Sequence, residues 1–418
     1  MNHRIAAGLA LLSLAMVLGH ANAAGAQPAF GTESEVAPKS DAKAQTRPQV
    51  AFGDGGYLAV WQRGIGARSD IHAARIGRNG KVRDPEGVEV STAKGGQHHP
   101  AVAFGHGNYL VLWSDLRGDD YDLYGTRVKP DGSIAAAKGF KIADGDGNQV
   151  RPDVEKTADG FIVTWQQSVE RGYQLMAATL DKSGKPKGSP VQLTKPESVG
   201  PEKLSNRVTN KVAVVNRPRV AVLGEKAIVV WEGTADRADR YRIMFRVLDA
   251  ATAKPTKKPK KIWDFGGQRQ QIPDIAAGSD DFLVTWQDLR GRGNKGGDGN
   301  ARLLASDGSF ESQSLIPLGT GGGREVRAPA VAANGDDFVI AFVQSAEKRR
   351  DAPQQRLTLR TVTDDGKSPG KDAIVSTGGF WPALAYAGTD DGLIVYTRLP
   401  MTGKAGARVV FRKLSASN

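Results

Sequence analysis

Basic residues stand directly before a recurring proline, and their side chains suit the recognition of anions. In the first four copies of the pattern these residues are Arg47, His99, Arg151 and Arg217, and Arg327 lies close to the proline of the sixth copy. A planar guanidinium donates paired hydrogen bonds to carboxylate, sulfate or phosphate groups. We predict that these five residues ring one binding surface, although solvated loops with weak ion pairs would present the same sequence.

A second recurring pattern, Trp-x-Asp-x-Arg, places Arg117 and Arg290 just after two apolar segments. We interpret its Asp as a partner within the loop that ends a strand, and keep Arg117 and Arg290 as further candidate ligand contacts. The loops on this side of the repeats vary in length, and variable loops on a rigid scaffold usually carry function. We therefore expect the ligand on this basic loop face.

Catalytic motifs are scarce in the sequence. It has no nucleophile elbow and no phosphate-binding loop, and no carboxylate pair stands out for glycoside hydrolysis. A polysaccharide lyase needs a Tyr or His base beside an Arg that neutralises a uronate, and His99, Arg117, Tyr121 and Tyr124 could meet in this way. We predict no catalytic residue, with a lyase or hydrolase of acidic polysaccharides as the alternative.

Metal-binding patterns are equally weak. Asp144, Asp146 and Asn148, with Glu155 at the twelfth place, resemble a calcium loop, but Gln149 stands where that loop needs glycine. No pair of histidines has the spacing of a zinc site. We predict no metal and no cofactor, and leave calcium at Asp144, Asp146 and Asn148 open.

The elements that must position these residues follow from internal repeats. Seven copies of one pattern run from residue 47 to the C-terminus, each with a proline followed 13 or 14 residues later by an aromatic residue. Repeats of this period with strand-like content are typical of propellers and related arrays. The prolines are Pro48, Pro100, Pro152, Pro218, Pro273, Pro329 and Pro382, and the aromatics are Trp61, Trp113, Trp165, Trp231, Trp286, Phe342 and Tyr396.

Each repeat contains four short strands joined by tight turns such as Asn79-Gly80 and Asp131-Gly132. The aromatic series lies in apolar segments, which predicts packing between blades. The last repeat lacks its fourth strand, and the segment around Glu35-Val36 matches the missing one. We predict an all-β, seven-bladed β-propeller over residues 34–418, closed by an N-terminal strand that completes the last blade.

The motif P-x-V-A, then YLVxWxDxR, then DIYGxRVxxDG resembles the propeller repeats of many secreted bacterial proteins of unassigned function. The second repeat fits this pattern best, from Pro100 through Trp113 and Arg117 to Gly132. The resemblance covers residues from about 34 to 418. It implies the fold and no particular activity.

The N-terminal residues predict export. A basic start, an apolar run and the Ala21-Asn22-Ala23 site are typical of a signal peptide over residues 1–23, followed by a short linker over 24–33. The chain has no cysteine for a lipid anchor, and no later segment is apolar enough to span a membrane. We predict a secreted or periplasmic monomer.

Composition and loops together suggest a function. The formal net charge of +12 favours acidic partners, while the basic loops lack the interleaved aromatics of single-stranded nucleic-acid binders. We therefore expect a non-catalytic binding or scaffold protein that recognises an anionic polysaccharide or an envelope protein, with nucleic acid disfavoured.

Overall fold

The computed structural model describes residues 28–415 except 42, 171, 196–197, 205–206, 213–214, 235–240, 265–268, 290–297, 312–313, 320–324, 346–354, 369–370 and 400–405. Its seven sheets form a ring, a seven-bladed β-propeller, which confirms the predicted fold class. A single turn of 3₁₀ helix, Gly66–Arg68, lies in a loop of the first blade. Among the described residues, no helix is long and apolar enough to cross a membrane.

Antiparallel four-stranded sheets make up the blades, with the first strand of each sheet lining a central channel. Two short N-terminal strands, β1 (Ala29–Phe30) and β2 (Ser34–Glu35), precede the first blade. Blade 1 contains β3 Gln45–Gly53, β4 Gly56–Arg63, β5 Asp70–Gly77 and β6 Val88–Ser91. Blade 2 contains β7 Gln97–Gly105, β8 Asn108–Asp115, β9 Asp122–Val128 and β10 Phe140–Ala143.

The remaining blades follow the same order, and a hairpin lies between blades 3 and 4. Blade 3 contains β11 Gln149–Thr157, β12 Gly160–Val169, β13 Gly172–Leu180 and β14 Val191–Gln192. The hairpin contains β15 Ser198–Leu204 and β16 Arg207–Val212, and blade 4 contains β17 Val215–Leu223, β18 Lys226–Thr234, β19 Tyr241–Asp249 and β20 Lys260–Lys261.

Blades 5 to 7 complete the ring. Blade 5 contains β21 Gln270–Ala277, β22 Asp281–Asp288, β23 Asp298–Ala305 and β24 Ile316–Pro317. Blade 6 contains β25 Val326–Asn334, β26 Asp337–Ser345, β27 Gln355–Val362 and β28 Ala373–Thr377. Blade 7 contains β29 Gly379–Tyr386, β30 Asp391–Arg398 and β31 Arg408–Ser415.

The core lies between neighbouring blades. The second strand of each blade is apolar on both faces, and its aromatic residue is fully or almost fully buried in every blade. Trp61 of blade 1, for example, belongs to one cluster with Val395 of blade 7 and Val36 of the N-terminal segment. The aromatic series is therefore inter-blade core, as the apolar pattern predicts, and its burial fixes the ring that surrounds the channel.

The N-terminal segment closes the ring on the last blade. Ser34 and Glu35 pair with Phe411 and Val410, and the N–H of Val36 donates a 3.1 Å hydrogen bond to Val409. Val36 is completely buried. The outer edge of blade 7 is thus covered by a strand from the other end of the chain, as predicted. Residues 29–30, which the sequence places in a linker, also pair with β31.

A repeated backbone irregularity lies where the recurring proline enters the first strand. In all seven blades the pairing register with the second strand shifts around this proline. Proline lacks an N–H for the ladder, so the strand accommodates it at a bulge. The preceding residue adopts a left-handed conformation with φ between 46° and 56°, at Arg47, His99, Arg151, Arg217, Ile272, Ala328 and Trp381.

Candidate active site

The first strands of all seven blades enclose a cavity of about 250 Å³ at one end of the channel. The recurring proline provides a common register for its wall. We call the seven residues directly before the proline the mouth ring. The seven residues directly after it form the middle ring. The seven residues three positions after it form the deep ring. Side chains alternate along a strand, so middle-ring and deep-ring residues leave the same side of it.

The mouth ring contains the basic residues that the sequence singles out. Arg47, His99, Arg151 and Arg217 all line the cavity, together with Ile272, Ala328 and Trp381. The structure thus brings four of the seven predicted site residues together. A left-handed backbone is unusual for residues other than glycine, and rarest for bulky ones. Trp381 nevertheless adopts φ 47° with 48% of its surface exposed.

The middle ring holds two carboxyl groups joined by one guanidinium. Arg219 Nη1 lies 3.4 Å from Asp153 Oδ1, and its Nε lies 3.4 Å from Asp274 Oδ1. Each carboxyl also accepts a backbone hydrogen bond from the next blade, Asp153 from Val220 at 2.8 Å and Asp274 from Val331 at 2.9 Å. These contacts fix both carboxyl groups in the channel wall, and the remaining members of the ring are Gln49, Ala101, Ala330 and Ala383.

The deep ring is alanine in six blades and glutamate in one. Glu155 of blade 3 lines the cavity, and its carboxyl forms no ion pair with any described residue. In the other blades this alanine is mostly a small inter-blade core residue, as Ala103 is beside Val154, so Glu155 places a carboxyl where the repeat otherwise packs a methyl group. The six alanines are Ala51, Ala103, Ala221, Ala276, Ala332 and Ala385.

The channel carboxyls differ in their proton affinity. Burial raises the pKa of Glu155 to about 8, and the charges of Asp153 and Asp274 add to this shift. Burial also raises the pKa of Asp274, to about 6, against the opposing charge of Arg219. At neutral pH the site therefore combines a protonated Glu155 with an ionised Asp274. Carboxyl groups whose environments separate their pKa values in this way are typical of acid and base pairs in enzymes.

Positive charge dominates the mouth ring. Arg217 donates a 2.8 Å hydrogen bond to the buried Glu232, whereas neither Arg47 nor Arg151 forms an ion pair with a described residue. Burial lowers the pKa of Arg151 to about 10, and the charges of Arg217 and Arg47 lower it further. His99 remains neutral because burial, and then Arg151 and Arg47, hold its pKa well below the usual value.

A side pocket of about 350 Å³ extends outward from the mouth ring between blades 1 and 2. Arg47 and His99 belong to both spaces, and His98 and Tyr121 line the pocket beyond them. The rings of His98 and Tyr121 meet edge to face, with centroids 5.5 Å apart. Burial and the charge of Arg47 lower the pKa of His98, so this imidazole is neutral at pH 7.

Two of the other predicted site residues, Arg117 and Arg327, lie away from the cavity. Arg117 contacts Asp115, with Nη2 and Oδ2 2.6 Å apart, and stacks on Tyr124 at 3.9 Å. Arg327 pairs with Glu325 and does not line the cavity, and Arg290 lies outside the described residues. Within the described part of the chain, no group of three metal-ligating side chains is arranged around a common point.

Five cavity residues escape the sequence-based prediction of ligand contacts: Asp153, Arg219, Asp274, Trp381 and Glu155, the last considered only as the twelfth place of a calcium-like loop. Their signal is nevertheless present once the seven repeats are aligned on the proline. Six copies read proline, any residue, an aliphatic residue and alanine, and only the third copy replaces that alanine by glutamate. A residue that departs from an otherwise uniform repeat position is a candidate for function, because the fold itself requires only the common residue.

No protein-family model and no curated protein matches the chain. A protein of unknown function from Dyadobacter fermentans DSM 18053 is similar in structure, with TM-score 0.53, 12% identity, and coverage of 93% of this chain and 99% of that one. An α-L-arabinanase from Penicillium chrysogenum complexed with arabinobiose has TM-score 0.48 at 12% identity, covering 93% and 99%. The α-L-arabinofuranosidase Arb93A from Fusarium graminearum, bound to an iminosugar inhibitor, has TM-score 0.47 at 12% identity, covering 93% and 98%.

These comparisons correct one expectation from the sequence. The expectation of a non-catalytic binding or scaffold protein is contradicted, since several of the similar solved structures are named as glycoside hydrolases or arabinan-degrading enzymes, although the protein from Dyadobacter fermentans has no stated function. The missed carboxyls of the channel explain the error, since without them the mouth ring suggests binding alone. At such low identity the likeness itself shows only the fold, so any activity has to be argued from the site.

Proposed function

We propose that this chain is a glycoside hydrolase that cleaves a polysaccharide at the mouth of the central channel. Glu155 carries the proposal, because it alone breaks a ring of alanines and does so beside two further carboxyl groups. Glycosidases generally use a pair of carboxyl groups that flank the scissile bond. Asp153, Glu155 and Asp274 supply such groups within one cavity.

Glu155 is the general acid of the proposed reaction. With a pKa of about 8 it holds its proton at neutral pH and donates it to the glycosidic oxygen as the bond to the anomeric carbon breaks. The leaving sugar departs as a neutral alcohol, and Glu155 becomes a carboxylate. A general acid works best when its pKa lies near the working pH, and the pKa of Glu155 meets this condition.

Asp274 is the proposed general base. Its pKa of about 6 leaves it ionised at neutral pH, so it accepts a proton from the water that attacks the anomeric carbon. Arg219 contacts both Asp274 and Asp153, which favours their ionised forms and restrains their orientation. After the reaction one proton passes from Asp274 back to Glu155 through solvent, and the net change is the addition of one water.

Trp381 and Tyr121 suit the binding of sugar rings on either side of this centre. The exposed indole of Trp381 lies in the mouth ring, and the Tyr121 ring lines the adjoining side pocket. Sugar C–H faces pack favourably on aromatic faces. The cavity and the side pocket together favour a chain of several sugars over a single one, and the sequence-based expectation of export agrees with a polymer found outside the cytoplasm.

A second candidate reaction is elimination at a uronic acid. The side pocket supports it, because Arg47 can neutralise a carboxylate while the neutral His98 accepts the proton on its free ring nitrogen. This arrangement resembles the lyase expectation from the sequence, which combined His99, Arg117, Tyr121 and Tyr124, but with Arg47 in place of Arg117 and His98 as the base. Hydrolysis remains the main proposal because elimination does not require the channel carboxyls.

A product assay on a panel of neutral and acidic polysaccharides tests the proposal. We expect new reducing ends without ultraviolet absorbance from wild type, and a loss of rate of about 10²- to 10⁴-fold in Glu155→Gln, since general acid catalysis contributes roughly that factor. Glu86→Gln, at an exposed glutamate in blade 1, is the matched control with wild-type activity. Ultraviolet-absorbing ends would indicate elimination, and a Glu155→Gln variant as active as Glu86→Gln would refute hydrolysis at this site.

A further inference from the structure

We infer that Arg47, Arg151 and Arg217 form a subsite for a carboxylate or sulfate group carried by the sugar chain. The inference rests on the proposed function for the reaction and names its substrate class, an acidic polysaccharide. The evidence for the subsite comes from the mouth-ring residues, and anion binding to it can be measured without any hydrolysis.

The three guanidiniums line one cavity and lie within electrostatic reach of one another. Arg217 acts electrostatically on both Arg47 and Arg151, and Arg47 also acts on Arg151. The left-handed backbone in front of each proline turns all three side chains into the same cavity. Only Arg217 has an acidic partner among the described residues, the buried Glu232. Arg47 and Arg151 thus have no directly bonded acidic partner in the described part of the chain; Glu232 attracts Arg151 from a distance, and Arg47 lies over the Trp381 ring at 5.8 Å.

The fold does not need arginine at these positions. The same ring position holds Ile272, Ala328 and Trp381 in blades 5, 6 and 7 with the same backbone conformation. Clustered like charges repel one another and disfavour the compact state. Residues that cost stability without serving the fold are typical of functional sites, and an anion between the guanidiniums would relieve the repulsion.

The histidines in the mouth ring and side pocket add uncharged hydrogen-bonding groups. His99 Nδ1 is buried and has no hydrogen-bond partner among the described residues. Both His98 and His99 stay neutral at pH 7 because their pKa values are lowered. A neutral imidazole can donate to, or accept from, a sugar hydroxyl. The mouth ring therefore combines charged donors for an anion with neutral groups for the rest of a sugar.

The subsite lies next to the proposed catalytic centre. Arg151, Asp153 and Glu155 follow one another along β11 at alternate positions, and two residues of a strand span roughly 6 to 7 Å. An anionic group at Arg151 thus lies within about one sugar of the channel carboxyls. Recognition by paired guanidinium hydrogen bonds would select substrates whose acidic group is at, or next to, the cleaved bond.

Small anions test the subsite directly. We would titrate the mature protein with sodium sulfate, sodium glucuronate and uncharged glucose at constant ionic strength, using calorimetry. Wild type is expected to bind both anions saturably and glucose far more weakly. Arg47→Gln/Arg151→Gln should weaken anion binding by about 10-fold or more, since each charged hydrogen bond contributes strongly to binding. It should also raise the melting temperature, because the repulsion is removed.

Lys182→Gln/Lys187→Gln is the matched control, since it removes the same charge from exposed positions of blade 3 and should bind like wild type. Equal binding by the two double variants, or no binding of either anion to wild type, would overturn the subsite. Glu155→Gln separates the two proposals, because it should keep anion binding while losing hydrolysis. Hydrolysis that survives intact in Arg47→Gln/Arg151→Gln would support the enzyme and refute the acidic substrate.

Discussion

At the scale of single residues, the surroundings of Glu155 raise the pKa of its carboxyl group. Alanines occupy the same repeat position in the other six blades, so the methyl groups at this position provide no hydrogen bond to a carboxylate. Burial in such surroundings disfavours the charged form, and the nearby Asp153 and Asp274 disfavour it further. The side chain therefore keeps a proton that an exposed glutamate would have lost, which is what a general acid at neutral pH requires.

This raised pKa predicts a stability difference between wild type and Glu155→Gln. The folded state holds the Glu155 proton up to about pH 8, whereas the unfolded chain releases it near its ordinary value. Between these limits the folded state binds more protons, so wild type loses stability as the pH rises, by up to about 1.4 kcal/mol per pH unit. Glu155→Gln lacks this loss, so the difference in the free energy of unfolding between the two proteins should change with pH and level off above pH 8.

Urea unfolding of Glu155→Gln and wild type between pH 5 and pH 9 measures this effect. Glu86→Gln serves as the control, because its exposed parent side chain should leave the pH profile of wild type unchanged. A constant difference between Glu155→Gln and wild type over the whole range would mean that Glu155 titrates normally, and would remove it as the general acid.

At the level of residues, the sequence predicts the basic residues of the mouth ring but not the carboxyl groups of the channel. Arg47, His99, Arg151 and Arg217 share one position before the proline, so the repeat alone brings them together. Asp153, Glu155 and Asp274 are scattered acidic residues in a chain with 45 of them. Their significance appears only when each is compared with the same position in the other blades, and their pKa shifts arise from burial that the sequence does not show.

At the scale of elements, the N-terminal segment, residues 33–36, holds the ring closed by pairing with the last blade. Glu35 contacts Arg408 at 2.9 Å, Glu33 contacts Arg398 at 3.0 Å, and Val36 packs between the first and last blades. The apolar contact deserves most weight, because exposed ion pairs contribute little to stability. The missing fourth strand of the last repeat predicts this closure from the sequence. The left-handed backbone of the mouth-ring residues cannot be predicted from the sequence, because the bulge depends on how the first strand pairs with the second strand of the same blade.

Val36→Asp tests whether the N-terminal segment stabilises the closed ring. A carboxylate in this fully buried position should lower the free energy of unfolding by about 3 kcal/mol or more, since a buried charge without a partner is among the costliest substitutions. Ile65→Asp is the control, because Ile65 is 78% exposed and should change stability by less than about 0.5 kcal/mol. Equal urea midpoints for the two variants would show that the segment does not hold the ring closed.

At the scale of the whole molecule, the ring assembles one site from distant parts of the chain. Asp153 and Glu155 come from blade 3, Arg219 from blade 4 and Asp274 from blade 5, and the mouth ring draws on all seven. The repeat spacing and the aromatic series predict this architecture well, because both record packing that every blade shares. Activity is harder to predict, because it depends on the few positions where the blades differ and on their convergence at the axis.

The pH dependence of kcat/KM on a cleaved polysaccharide shows whether Asp274 and Glu155 act as base and acid. Activity requires an ionised Asp274 and a protonated Glu155, so the rate should rise through about pH 6, peak near pH 7 and fall through about pH 8. We expect this bell shape for wild type and for Glu86→Gln alike. A rate that stays level or continues to rise above pH 8 would contradict the assignment of Glu155 as the general acid.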